Sequence, residues 1–493
     1  MKSENPKCTY PRTGDARWRL SPLPIKGFLS LYLLLVLLSP VQRFGQQLEL
    51  RPENPAVLRI QKYDLLNGLK IFIVQQKGAE GVAVSLLVKA GPVVDPPAQN
   101  GMANLTAQTL FAVNPRKSDE QWKDELQALG VEFKIRLDPE ATVFEALVPN
   151  KYVEPYLTLL NTMVLYPHFR QERVNAVKQV LITNRLGEPQ TMELAEKYFH
   201  ELIFDGHPYA RTSRGNPESL KAIQAGDLEN FYHSFYIPNN SALVVVGDVV
   251  PSEIMSIIRE KWGGWTKGTR SEAYFPKLSI RDNYALLVIQ QRNSASAAVI
   301  YGHVGPPRVT SDYFSLIVLN AVLGGHGSSS RLAEEFDRRH LSFQKLQSLF
   351  NFYEAGGEFQ VRAIVPNESV SQSLQAIVDA IEDLKQNRVK EGELKAAQVA
   401  LIQIFTEGLK SPVEVANNVV TMELYDLASD FLVAFPQRVE QISVERVQET
   451  AKTYLDPSRA AAVIVGDPEK LPPDLNKLSN VRILGDSGSS AAK

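Results

Sequence analysis

Pro238-Asn239-Asn240-Ser241-Ala242-Leu243-Val244-Val245-Val246-Gly247-Asp248 returns 219 residues later as Pro457-Ser458-Arg459-Ala460-Ala461-Ala462-Val463-Ile464-Val465-Gly466-Asp467. Both copies are short apolar runs bounded by Pro and Gly, which reads as a strand. A second match lies near the other end of each copy. Val74-Gln75-Gln76-Lys77 precedes the run Val82 to Val88, and Ile289-Gln290-Gln291-Arg292 precedes Ala297 to Val304, at an offset of 215 residues. Two independent matches at nearly one spacing identify an internal duplication.

Each repeat mixes two periodicities. Leu69 to Val74, Val82 to Val88, Thr142 to Val148 and Ala242 to Val246 read as strands. Met102 to Phe111, Ser118 to Leu129, Glu172 to Leu186 and Glu193 to Ile203 place apolar residues three and four apart and read as helices. The order is uneven, with hairpin-like strand pairs, so an α+β fold is expected: two duplicated domains, each a largely antiparallel sheet with helices on one face. The expected domains are residues 50–265 and 284–480. The polar segment 266–283 is expected as the linker, and residues 485–493 as a disordered tail of low complexity.

With 44% hydrophobic and 22% charged residues, 493 positions suffice for two or three cores. The net charge is -2, with both signs interspersed, so no nucleic-acid partner is indicated. Lys2, Lys7, Arg12, Arg17, Arg19 and Lys26 precede an apolar run from Phe28 to Val41. At about 14 residues that run is shorter than the roughly 20 needed to span a bilayer, so residues 1–45 are expected to be a signal peptide, with an uncleaved anchor through residues 28–41 as the alternative. The expected location is secreted or periplasmic. Cys8, the only cysteine, precedes the run, so removal of the leader would leave a mature chain without thiols.

Several motifs follow one another in a specific order. They are Asn67-Gly68-Leu69, Lys89-Ala90-Gly91 and Gly101-Met102-Ala103, then His207-Pro208-Tyr209-Ala210-Arg211 and Gly215-Asn216-Pro217-Glu218-Ser219-Leu220, then Tyr236-Ile237-Pro238-Asn239-Asn240. The second repeat adds Leu323-Gly324-Gly325-His326-Gly327-Ser328-Ser329-Ser330-Arg331-Leu332. In this order and spacing the chain resembles the pitrilysin/insulinase family over residues 55 to 480. These are inverzincin metallopeptidases that include the mitochondrial processing peptidase and the core proteins of the respiratory bc1 complex.

The resemblance implies a zinc helix of the form G-x-A-H-x-x-E-H, in which two histidines four apart share one helical face and the glutamate serves as base toward metal-bound water. Here that octet is Gly101-Met102-Ala103-Asn104-Leu105-Thr106-Ala107-Gln108. Asn104 and Gln108 stand at the histidine positions and Ala107 at the glutamate. The third ligand position implied by the resemblance falls on Asn184, and a supporting glutamate on Val177. Neutral amides are poor zinc ligands and a methyl group accepts no proton. No catalytic residue, metal ligand or cofactor is therefore expected in this chain, and zinc only in a partner. His200 and His207, with Glu201 and Asp205 between them, are read as scaffold rather than a replacement site.

For peptide substrate the candidates are Gly324, Gly325, Gly327, Arg331, Arg338 and Phe343. The glycines would let a peptide backbone approach closely, the alternative being a helix entry needed for folding. The resemblance implies an Arg/Tyr pair that handles substrate. Its tyrosine position matches Phe343, which lacks the hydroxyl, and its arginine position falls on Asp337, with Arg338 adjacent. Arg338-Arg339-His340 reads as a solvated helix end before it reads as an anion site. Trp262 and Trp265 read as packing before interface anchors.

The expected function is that of a non-catalytic subunit of an extracytoplasmic two-chain zinc metallopeptidase. It would shape the chamber and hold unfolded peptide at a sheet edge for a homologous catalytic zinc peptidase chain. The alternatives are a structural or peptide-binding scaffold without a peptidase partner, and an autonomous metallopeptidase with unrecognised ligands.

Overall fold

The two copies of the apolar run, Ser241–Gly247 and Ala461–Gly466, each form the third strand of a six-stranded sheet. The structure is a computed structural model, and it describes residues 58–112, 119–183, 191–271, 275–325, 330–477 and 481–484. The proposed leader with Cys8, the apolar run 28–41 and the tail from Gly485 lie outside the described residues. Among the described residues no helix is long and apolar enough to cross a membrane.

In chain order the first repeat contains β1 (Ile60–Asp64), β2 (Lys70–Gln75), β3 (Val82–Val88), α1 (Met102–Ala112), α2 (Asp119–Ala128), β4 (Glu132–Asp138), β5 (Ala141–Val148), α3 (Val153–Leu165), α4 (Gln171–Thr183), α5 (Thr191–Ile203), α6 (Pro217–Ala222), α7 (Ala225–Phe235), β6 (Ser241–Gly247) and α8 (Pro251–Trp262). The second contains β7 (Ala285–Gln290), β8 (Ala297–Gly305), α9 (Tyr313–Asn320), α10 (Arg331–Arg338), β9 (Lys345–Asn351), β10 (Gly357–Val365), α11 (Val370–Gln386), α12 (Glu391–Gly408), α13 (Pro412–Leu424), α14 (Phe431–Glu440), α15 (Val444–Tyr454), β11 (Ala461–Gly466) and β12 (Val481–Leu484).

The strand orders are β1-β2-β6-β3-β5-β4 and β12-β7-β11-β8-β10-β9. Five of the six strands, β2-β6-β3-β5-β4 and β7-β11-β8-β10-β9, correspond one to one, as the duplication requires. Both sheets are mixed, because β2 runs parallel to β6 and β7 parallel to β11 while the remaining inner pairs are antiparallel. The outermost strand differs. In the first sheet it is β1, antiparallel to β2 and preceding it. In the second it is β12, parallel to β7 and drawn from the far end of the repeat.

Side chains alternate across each sheet, and in the central strands both faces are buried. In β6, Leu243 and Val245 join the core under the first repeat's own helices, including Leu105 of α1, Leu157 of α3 and Ile258 of α8. Ala242, Val244 and Val246 point the other way, together with Ala83 and Leu87 of β3. What covers them is α13 of the second repeat, through Val415, Ala416, Val419 and Val420. The second sheet is treated in the same manner: Ala461, Val463 and Val465 of β11 pack on Ala195, Phe199 and Ile203 of α5, which belongs to the first repeat.

The repeats therefore exchange a helix. Each sheet carries its own helices on one face and a helix of the other repeat on the opposite face, which is why β6 is buried at every position and reads as a continuous apolar run. Ser411 caps α13, accepting from Glu414 N at 3.4 Å with Pro412 at the first turn, so the exchanged helix has its own start signal. Pulling the repeats apart would expose each large aliphatic on these faces at about 1.5–3 kcal/mol apiece. The described residues of both repeats accordingly pack as one unit.

Charged groups fix the exchange. Glu423 of α13 has a side chain 4% exposed and accepts from Lys70 of β2 at 2.7 Å and from Lys89 at 2.9 Å. On the other sheet Glu358 of β10 is fully buried and meets His200 of α5, while Arg362 reaches Glu196 at 2.7 Å.

Candidate functional site

The octet that opens α1 is held in a built cradle. Asp95, 2% exposed, sits before the helix and accepts from Gly101 N at 2.7 Å through Oδ2 and from Ala103 N at 2.9 Å through Oδ1. It satisfies two of the amides that a helix N-terminus leaves without partners. Burial raises its pKa to about 7, although the helix amides and Arg211 pull in the opposite direction. Arg211 in turn donates to the carbonyls of Val93 and Asp95, which fixes the segment leading into the helix.

Two glycines close the same cradle. Gly101 has φ +94° and Gly215 φ +65°, and a Cβ on Gly215 would stand 2.3 Å from the Asn100 carbonyl oxygen. Ser219 Oγ donates to that carbonyl at 2.7 Å and also belongs to the Asn216 capping box that starts α6. The motifs Gly101-Met102-Ala103, His207 to Arg211 and Gly215 to Leu220, far apart in sequence, thus meet at one helix start.

On α1, Met102, Ala103, Leu105, Ala107 and Leu110 enter the first repeat's core. Asn104 is 5% exposed and Gln108, one turn on, is half-buried. Among the described residues neither amide side chain has a hydrogen-bond partner. The helix packs against α4, where Val177 lies half-buried against the apolar core. Asn184, one residue beyond α4, is outside the described residues. The donor set on α1 is therefore two neutral amides with a methyl group between them, and it does not fit a zinc ion or the proton transfer that would accompany one.

The histidines are engaged elsewhere. His200 Nε2 meets Glu358, while His207 Nδ1 accepts from Tyr209 N at 3.1 Å and its Nε2 donates to the Pro276 carbonyl at 3.1 Å. Among the described residues no three His, Cys, Asp or Glu side chains cluster as a metal site would require.

The second-repeat candidates lie on α10 and its approaches, apart from α1 in the chain and in the sheet they serve. Gly324 and Gly325 end a π-helical turn, Ala321–Gly325, that continues α9. A Cβ on Gly324 would come 2.5 Å from Leu332 Cδ1 and 3.0 Å from Ser348 N, and one on Gly325 2.6 Å from Asn320 Nδ2. These glycines allow close packing within the repeat itself. Gly327, with His326, is outside the described residues. Arg331 holds Glu393 through Nε at 2.6 Å and Nη2 at 2.9 Å and also binds Asp383, so its guanidinium ties α10 to α11 and α12. Arg338 is exposed and bonded to Glu335 three residues earlier, at 2.6 Å. Phe343 is 43% exposed and stands edge-on to Phe336 at 5.7 Å. Trp262 and Trp265 are buried, and Asn67 Nδ2 donates to both of their carbonyls.

Residues 70–216 match the family model described as Insulinase (Peptidase family M16), and residues 222–401 the one described as Peptidase M16 inactive domain. Together the two cover well over half of the chain. The chain belongs to the M16 peptidase family.

This M16 chain is 24% identical over 405 residues to an uncharacterized zinc protease of Mycobacterium leprae, covering 81% of this chain and 90% of the relative. It is 20% identical over 425 residues to a probable mitochondrial-processing peptidase subunit beta of Arabidopsis thaliana, covering 84% and 79%. Among solved structures, a peptidase M16 inactive domain from Pseudomonas fluorescens superposes with a TM-score of 0.77 at 22% identity, over 84% of this chain and all of that one. A protease from Helicobacter pylori gives 0.78 at 19% identity, over 83% and 99%. The M16 fold thus extends across both repeats, and the octet that opens α1 carries two neutral amides with a methyl group between them.

Sequence reasoning did not find the seam between the repeats. Glu140, in the β4–β5 turn, accepts from the Tyr209 hydroxyl and from Glu354 N at 2.8 Å, and Tyr425 also reaches it. Tyr209 lies in the His207 to Arg211 motif, but nothing in its sequence neighbours names a partner in the other repeat.

Proposed function

We propose that this M16 chain is the non-catalytic subunit of a two-chain zinc peptidase working outside the cytoplasm, and that it shapes the chamber and holds unfolded peptide for an H-x-x-E-H partner. One observation carries the reading. The cradle of Asp95, Gly101, Gly215 and Arg211 holds α1 in place, yet Asn104, Ala107 and Gln108 supply neither metal ligand nor base. Loss of a general base alone costs about 10²–10⁴ in rate, and loss of the metal removes the activated water as well. A helix maintained without its chemistry suits a chain whose shape is used by another. The name of the Arabidopsis relative, a subunit of a processing peptidase, supports the same reading.

The test is reconstitution. The purified chain should hold no stoichiometric zinc and cleave no unfolded peptide, and it should raise the activity of the H-x-x-E-H chain that copurifies with it. Chelator-sensitive cleavage by the chain alone would refute the proposal.

A further inference from the structure

A cavity of about 370 Å³ opens at the seam, between the β2 and β3 side of the first repeat and the end of α13 in the second. Its volume falls in the range of small-molecule sites, about 300–1,000 Å³. Charges of both signs line it. Three are cationic and neighbours of one another: Lys70 and Lys89, which share the single carboxylate of Glu423, and Arg270, close enough to Lys89 to be felt electrostatically. Two of the three Lys89 ammonium protons are used, one on Glu423 Oε1 and one on its carbonyl. The same cavity is lined by Glu354, beside Glu140, and by Asp426, held at φ +49°.

Among the described residues Arg270 has no carboxylate partner, and neither Glu354 nor Asp426 has a basic one. Opposite charges line one cavity without bridging each other, and Val309 and Leu424 add apolar surface to its lining. A ligand that satisfied these groups would carry an anion, a cation and an apolar group.

We propose that this cavity binds a short peptide with free termini, its α-carboxylate toward Arg270 and Lys89 and its α-ammonium toward Glu354 and Asp426. A dipeptide spans about 7 Å when extended, and its side chain would lie against Val309 and Leu424. The site uses no residue of α1, so it is independent of whether the chain assists a catalytic partner. It makes the seam between the repeats responsive to small products of proteolysis.

The experiment is calorimetric titration of the purified full chain with leucyl-alanine, its N-acetyl form and its C-terminal amide. Saturable one-to-one binding of the free dipeptide is expected, weaker by about tenfold or more when either end is blocked. Arg270→Ala should weaken the free dipeptide by about fivefold while leaving the amide unchanged. The double variant Glu354→Gln/Asp426→Asn should weaken the free dipeptide while leaving the N-acetyl form unchanged. All three substituted residues are exposed, and an unaltered melting temperature establishes that the variants fold. No saturable binding, equal binding of the blocked forms, or binding indifferent to these substitutions in folded protein overturns the proposal.

Discussion

His200 of the first repeat and Glu358 of the second face each other across the seam, with Nε2 3.1 Å from Oε1 and 3.0 Å from Oε2. The carboxylate is fully buried and also accepts from Asn351 Nδ2 at 2.6 Å and Gln360 Nε2 at 2.9 Å. Burial opposes charge on both groups, and their mutual attraction overrides it. His200 is held above its ordinary 6.5 and Glu358 below its ordinary 4.5.

The pH dependence follows by linkage. A raised histidine stabilises fully below 6.5 and loses that contribution as pH rises through its folded value. A lowered carboxylate stabilises above 4.5 and loses its contribution as pH falls through its folded value. The pair therefore contributes most between 4.5 and 6.5. His200→Gln should lower the melting temperature most near about pH 6 and progressively less toward about pH 8.5. A deficit that stays constant across that range contradicts this account.

Glu423 compensates two cations on the opposite side of the exchange. Glu423→Ala leaves Lys89, whose side chain is 18% exposed, without its carboxylate. A loss of about 2–3 kcal/mol is expected. Lys70, 36% exposed, is the less dependent partner, so Lys70→Ala should cost under about 1 kcal/mol. Urea unfolding of the two variants checks the ordering.

Gly215→Ala forces a Cβ against the Asn100 carbonyl at a positive φ. It should destabilise by about 1–3 kcal/mol. Because Gly215 supports the start of α1, hydrogen exchange at the amides of Gly101 to Ala103 should accelerate in the variant beyond the change seen in β11. Equal acceleration in both places would separate Gly215 from the cradle.

Restoring the ligands reverses the chemistry. Asn104→His, Ala107→Glu, Gln108→His and Asn184→Glu together should bring the chain to about one zinc ion by metal analysis. Ala107 is fully buried in the core, so Ala107→Glu alone should lower stability by about 1–3 kcal/mol, the cost of burying an unpartnered carboxyl group. The metal should recover part of that loss in the fourfold variant. A fourfold variant that folds and takes up no zinc shows that the cradle has drifted from metal-binding geometry.

Much of each repeat was legible locally. The strand read at Val82 to Val88 is β3 without change, and the helix read at Glu193 to Ile203 is α5 extended by two residues. Strands β1 and β4 are not legible locally, because Ile-Gln-Lys-Tyr-Asp and Glu-Phe-Lys-Ile-Arg-Leu-Asp carry charges suited to sheet edges and lack a continuous apolar signal. Arg331 stands in a motif that suits either a substrate contact or a helix entry needed for folding. Its two carboxylates, Asp383 and Glu393, lie 52 and 62 residues further along, beyond the reach of any local pattern.

The sequence by itself determined the duplication, the alternation of strands and helices within each repeat and the chemistry missing from α1. Periodicity and side-chain donors are properties of neighbouring residues. The tertiary structure alone decided that α5 and α13 change places, that His200 finds Glu358 158 residues away and that Lys70 finds Glu423 353 residues away. Those partners are selected by which dry face each sheet leaves uncovered, and that is a property of the assembled repeats.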